Sequence, residues 1–237
     1  MRRILAVLPI LSLGLLSACN VVLTKQPLFT AADEAGAPSL RPGVWVMEDP
    51  DCSVDEKTPM TSWPDCSGGM VFRDGQAIGV SHKDGKTSWE RQPMVIAAGD
   101  PRIAQLRIHL NLSSGSGRNT SGQDTTLYGY AALKVLKSGP RGKITAFTYW
   151  PVQCGPPPPP PKPNARPEAA LQMGTRHLLP GLEMKKGEAV CTTTSIPALR
   201  NAAKASEAWR EKVTSAHWAR EAGPGDMPPP GVAIKDG

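Results

Sequence analysis

Aromatic side chains are scarce in this 237-residue chain: three phenylalanines, three tyrosines and six tryptophans, 5% in all. A packed core must therefore be mostly aliphatic, and part of the chain is expected to stay outside it. Its N-terminal apolar run, Ile4–Leu16, is too short for a stable bilayer-spanning helix. No C-x-x-C pair is present, which speaks against a structural zinc site. The His-Glu-x-x-His helix of zinc proteases is missing too. Gly115-Ser116-Gly117 is flanked by Ser114 and Arg118, so it is not the nucleophile elbow Gly-x-Ser-x-Gly. Gly142-Lys143 is followed by Ile144, and Lys137 stands where a phosphate-binding loop needs its first glycine. The carboxylates Asp49, Asp51 and Asp55 suggest calcium, but Val54 and Met60 occupy the positions where an EF-hand needs Gly and Glu. No metal and no cofactor is expected, and no catalytic set of residues stands out.

A start signal is present. Arg2 and Arg3 precede the run Ile4–Leu16, which closes on Leu16-Ser17-Ala18-Cys19. A basic start, a short apolar centre and small residues before a cut are the parts of an export signal. Leu-Ser-Ala-Cys resembles the lipobox of bacterial lipoproteins. The resemblance implies that residues 1–18 are removed, that the Cys19 thiol carries a diacylglycerol and that the new amine is acylated. Two or more buried chains, at roughly 0.8 kcal/mol per methylene, make a durable anchor. Asn20 follows the Cys where inner-membrane lipoproteins often carry Asp, so the resemblance implies an outer-membrane address facing the periplasm. The expected partners are the membrane itself, an envelope protein or an anionic envelope polymer, and not nucleic acid.

Export sets the redox compartment for the other four cysteines, Cys52, Cys66, Cys154 and Cys191. An even number in an exported chain reads as two disulfides. Three pairings are possible, and the preferred one is Cys52–Cys66 with Cys154–Cys191, which does not cross and closes the shortest loops. Charge is divided along the chain. Cys19–Leu133 holds 10 basic and 13 acidic residues, whereas Lys134–Arg220 holds 14 basic and 5 acidic. The basic half is expected to be a solvated surface, or a face toward anionic lipid or polymer.

The body reads as mainly antiparallel β, a sandwich or a barrel-like sheet, with one C-terminal amphipathic helix. Residues 19–40, with the loop-like Ala31–Pro38, are expected to form a lipid-anchored tether. A disulfide-stapled β domain is expected over 41–194. Met70–Arg73, Asp74-Gly75 and Gln76–Ser81 carry a hairpin signature. Arg102–Leu112 has the clearest period of two, placing Ala104, Leu106, Ile108, Leu110 and Leu112 on the core side and Gln105, Arg107, His109 and Asn111 toward water. Pro156–Pro161 cannot enter a sheet interior, and 155–167 is expected to be an extended proline-rich loop. Ser195-Ile196-Pro197 starts a helix by its cap chemistry, with a face of Leu199, Ala202, Ser206, Trp209, Val213 and Ala216, so 195–220 is expected to be helical. The Pro- and Gly-rich 221–237 is expected to be a disordered tail.

Gly43-Val44-Trp45 is similar to the Gly-x-Trp opening of the lipocalin group of β-barrels. That resemblance implies a closed barrel, with Trp45 plugging one end and an apolar cavity above it for a small ligand. Trp45 is then a pocket residue, and His109 is the histidine to inspect beside it. The functions in view are a structural or binding role without catalysis, a lipocalin-like binder of a small apolar ligand, and a hydrolase acting on envelope polymers. The last requires a histidine to meet a carboxylate or a serine in a cleft.

Overall fold

Eight consecutive strands, each antiparallel to the one before it, close into a barrel in this computed structural model. It describes residues 20–36, 38–83, 86–111, 124–157, 177–185, 190–210 and 214–236. The staves are β2 (Gly43–Met47), β3 (Gly68–Arg73), β4 (Gln76–Lys83), β5 (Lys86–Ala97), β6 (Arg102–Asn111), β7 (Asp124–Ser138), β8 (Ile144–Pro151) and β9 (Thr214–Arg220). Closure is made by β9, which pairs with β8 through Phe147 opposite Ala216 and with β2 through Met47 opposite the same Ala216. Three short elements complete the order. They are β1 (Leu23–Thr24) beside β7, β10 (Ile234–Asp236) parallel to β5, and the helix α1 (Ile196–Ser206).

Local chemistry explains the individual pieces. Asp74 and Gly75 both have positive φ, 52° and 71°, which is the two-residue turn that Arg73 opposite Gln76 requires. Gly43 has φ 129°, and a Cβ there would lie 2.6 Å from Trp218 Nε1, so only glycine lets β2 approach β9. Ser195 caps α1 by accepting from Ala198 N–H at 3.3 Å, and Pro197 sits in the first turn.

The strands alternate between an inner and an outer face. Trp45, Met70, Phe72, Ala77, Met94, Ile96, Ala104, Leu106, Leu133 and Phe147 point inward and form the interior cluster. The outer face is covered on two flanks. On one, α1 places Leu199, Ala202 and Ala203 against Ile103, Ala132 and Trp150, and Trp150 Nε1 donates to Ala203 O at 2.9 Å. On the other, the loop 48–67 and the C-terminal segment bring Met60, Trp63 and Met227 over Val44, Val71, Ile78 and Trp89. A disulfide staples each flank, Cys154–Cys191 on the first and Cys52–Cys66 on the second. The Cys52–Cys66 closure contributes about 3 kcal/mol in the loop-entropy model, and the longer Cys154–Cys191 closure about 4 kcal/mol.

Five expectations need correction. The stretch 19–40 is no tether over its described part, because Val22, Phe29 and Leu40 are buried in the body. Gln105 was expected to face water, yet it is buried under that segment, accepting from Leu28 and Phe29 N–H and donating to Phe29 O. The helix does not run over 195–220: α1 ends at Ser206, a short 3-10 turn follows at Glu207–Trp209, and Thr214–Arg220 is β9. Thr214, Ala216 and Trp218 also fit one face of a strand, and the barrel needs an eighth stave, so tertiary pairing decides. The β domain therefore exceeds 41–194. The tail 221–237 contributes β10 and the buried Asp226. Of the proline loop 155–167, only Gly155–Pro157 falls among the described residues, and Cys19 lies outside them.

Candidate ligand-binding lumen

The two ends of the barrel are built differently. One end is closed by the connections 74–75, 98–101 and 139–143, and may be called the turn end. At the other end, the loop end, the chain leaves for 48–67, for 112–123 (outside the described residues) and for 152–213, with only a two-residue return between Lys83 and Lys86.

The turn end is plugged. Trp45 is fully buried with Leu40, Ile144 and Phe147, its ring 5.3 Å from that of Phe147. The Trp45 indole N–H donates to Arg41 O at 2.9 Å. Below it, the Arg41 guanidinium lies 3.4 Å from the Trp218 ring centroid and pairs with Glu221 at 3.0 Å. Trp218 Nε1 donates to Pro42 O, which ties the β9 end to the β2 entrance.

Toward the loop end the inward positions of β4, β5 and β8 become polar, while β2, β3 and β9 still contribute Met47, Met70 and Ala216. Ser81 faces Ser88 with their hydroxyls 2.7 Å apart, and Glu90 pairs with Gly79. Gln92, next inward on β5, donates to Arg107 O at 2.7 Å. Tyr149 completes the wall from β8, its ring 6.0 Å from that of Phe147. Burial pushes the Tyr149 phenol up to about 12, although the residue keeps partial access to solvent. Burial also raises the Glu90 carboxyl, while Lys235 and His109 pull it back. The phenol and the carboxylate are thus desolvated in part and remain within reach of solvent.

The barrel wall is also parted at this end. β5 pairs with β6 only over Met94–Ala97, so Lys86–Pro93 makes no backbone ladder with β6, and the Gln92 side chain bridges to Arg107 O. β10 occupies that edge, with Ile234 opposite Trp89, and Arg91 grips Asp236 Oδ1 at 2.8 and 3.0 Å.

Trp45 and His109, the two pocket residues expected from the sequence, do not meet. Trp45 points into the barrel, whereas His109 is on the outer face of β6, exposed, 3.2 Å from the Thr126 hydroxyl. The odd positions of β6 face outward, so no rotamer brings His109 above Trp45. The four cysteines are where they were expected, in the two preferred pairs.

A second cluster was not anticipated. His217, on the outer face of β9, is held between two carboxylates: Nδ1 lies 2.9 Å from Glu48 Oε1 and Nε2 2.8 Å from Glu56 Oε1. Burial opposes the imidazolium, but the hydrogen bonds to Glu56 and Glu48 outweigh it and hold His217 above the usual value. The hydroxyl of Ser215 donates to Glu48 Oε2, and this bond lowers the Glu48 carboxyl most. A recess of about 440 Å³ lies alongside, lined by Glu48, Asp49, Glu56 and Ser215. A histidine does here meet carboxylates near a serine, as the hydrolase reading requires. The connectivity is wrong for it: both imidazole nitrogens are occupied by carboxylates, and Ser215 gives its proton to Glu48, so the imidazole cannot act as a base on the serine. The cluster fastens the disulfide loop to β9. Arg220 does the same one pair further on, bonding Asp226 at 2.9 Å and the carbonyls of Glu56 and Thr58.

His217 could have been found by reading Thr214–Arg220 as an alternating strand. Glu90 and Tyr149 carry no local signal, since only the register aims them inward. Among the described residues no group of three His, Cys, Asp or Glu side chains is placed to hold a metal ion, and no helix is long and apolar enough to cross a membrane. Comparison of the chain with protein-family models, curated proteins and solved structures finds no match in any of the three.

Proposed function

We propose that this chain is a lipid-anchored protein of the bacterial envelope whose barrel binds a small molecule without catalysing a reaction. The ligand is an amphiphile with an apolar body and a head that donates hydrogen bonds. One observation carries the reading: a complete eight-stranded barrel is plugged at the turn end by Trp45, while its other half turns Ser81, Ser88, Glu90, Gln92 and Tyr149 inward. An interior of eight strands is just wide enough for side chains or one small ligand. The packed apolar floor suits the body of such a ligand, and the polar positions above it suit the head. The export signal and Cys19 supply the address.

Native mass spectrometry of the soluble chain beginning at Asn20, taken from an envelope extract, tests the binding. A reproducible small-molecule adduct at one per chain is expected, and it disappears in Ser88→Trp, which fills the recess. A chain that carries only a co-purifying protein overturns the reading in favour of a scaffold. Intact-mass analysis of the full chain tests the anchor separately, and an unmodified Cys19 removes it.

A further inference from the structure

We propose that the anchored body lies flush on an anionic bilayer, with the flank made by β7, β8 and α1 against the headgroups and no flexible spacer between lipid and barrel. The proposal rests on lipidation of Cys19, and it replaces the tether expected from composition. Asn20, one peptide bond after Cys19, is already part of the fold. It is 4% exposed, its Nδ2 donates to Gly155 O at 2.8 Å and its carbonyl accepts from Cys154 N–H at 2.8 Å. The next residues leave no slack. Val22 N–H donates to Val152 O, Leu23 N–H donates to Cys191 O and Cys191 N–H donates to Val21 O, all beside the Cys154–Cys191 disulfide. The anchor point is therefore fixed on one flank of the barrel.

Two further observations point the same way. Asn20 Oδ1 is buried and has no hydrogen-bond partner. Its identity as the oxygen follows from Nδ2 facing the Gly155 carbonyl, because only the amide nitrogen can donate there. A buried acceptor without a donor is rare. This one lies beside the junction to Cys19, where an N-acylated amine brings an N–H. The second observation is charge. Exposed lysines stand on the anchor flank, and the acidic loop stands away from it. Lys134, Lys137 and Lys204 are exposed on β7 and α1, the flank that carries the anchor point, with Lys134 also 3.4 Å from Glu207. The acidic loop with Glu48, Asp49, Asp51, Asp55 and Asp65 adjoins β2 and β3, and β3 lies across the ring from β7. An anionic surface attracts the first flank and repels the second.

The test uses the full chain, produced with lipoprotein processing and reconstituted in vesicles of phosphatidylethanolamine and phosphatidylglycerol. A bimane fluorophore is placed by Pro157→Cys on the anchor flank, or by Arg73→Cys across the barrel. Circular dichroism melts confirm that both variants fold. Quenching by doxyl-labelled lipid is expected to be several-fold stronger at 157 than at 73. A Gly/Ser insertion of about ten residues between Cys19 and Asn20, reaching about 17 Å, reduces that contrast. Replacing phosphatidylglycerol with phosphatidylcholine weakens it further. Equal quenching at the two sites in a chain whose mass shows the lipid overturns the flush arrangement and leaves the anchor standing. A mass without the lipid removes both.

Discussion

The two halves of the barrel interior share the same strands but do different work. At the turn end the inward positions are Trp45, Phe72, Ile96, Leu133 and Phe147, all buried in one another. At the loop end the same strands present Ser81, Ser88, Glu90 and Tyr149, which retain contact with solvent. The first set lowers the free energy of the fold, since each large side chain removed from water contributes about 1.5–3 kcal/mol. The second set contributes little of this kind, and Glu90 costs something by being desolvated. A barrel selected for stability alone would continue the apolar filling to both ends. The turn end is filled by apolar packing, and the loop end keeps polar groups within reach of water.

Breaking the turn end has the largest effect. Trp45→Ala is expected to destabilise the protein by about 3–5 kcal/mol, read as a drop in the denaturant midpoint. An equal loss from Ser88→Ala would erase the distinction between the ends. Next in size is the pair Arg220–Asp226, whose carboxylate is buried and also accepts from Met60 and Gly223 N–H. Asp226→Asn leaves the guanidinium without its charge partner and costs roughly 3 kcal/mol by the same measurement.

Much of the turn end is legible in the sequence, and much of the loop end is not. Gly43-x-Trp45, the Asp74-Gly75 return and the alternation of Arg102–Leu112 are local signals, and each describes a neighbour a few residues away. Gln105 shows where local reading stops. Its alternation is right, but its outer face is covered by Leu28 and Phe29 from 76 residues away or more, which no local period reports. The helical reading holds through the 3-10 turn at Glu207–Trp209, but Thr214–Arg220 also alternates with a period of two, and the open seam between β8 and β2 decides for the strand there. Glu90 is aimed into the lumen only by its register opposite Gly79.

The smaller effects sharpen the contrast through pH. His217 has its folded pKa raised above the unfolded value. Its clamp therefore contributes fully below about pH 6 and is lost as pH rises through the folded value. Because the side chains of Glu48 and Glu56 are 52% and 43% exposed, solvent screening keeps the contribution under about 1 kcal/mol. Melting temperatures recorded between about pH 5 and 9 should fall gently on the alkaline side, and His217→Gln should flatten that slope. Glu90 runs the other way in charge: its raised pKa means that ionisation opposes folding, so stability is lost as pH rises through the carboxyl range. Glu90→Gln is expected to raise neutral-pH stability by a few tenths of a kcal/mol, while weakening ligand binding. A stability loss in that variant would mean that the carboxylate holds the wall together.

The proposed ligand site at the loop end is tested by native mass spectrometry comparing the chain from Asn20 with its Ser88→Trp variant, both from the same envelope extract. One small-molecule adduct is expected on the first and none on the second, with melting temperatures that differ little. An adduct of the same mass on both chains, or on neither, rules the site out.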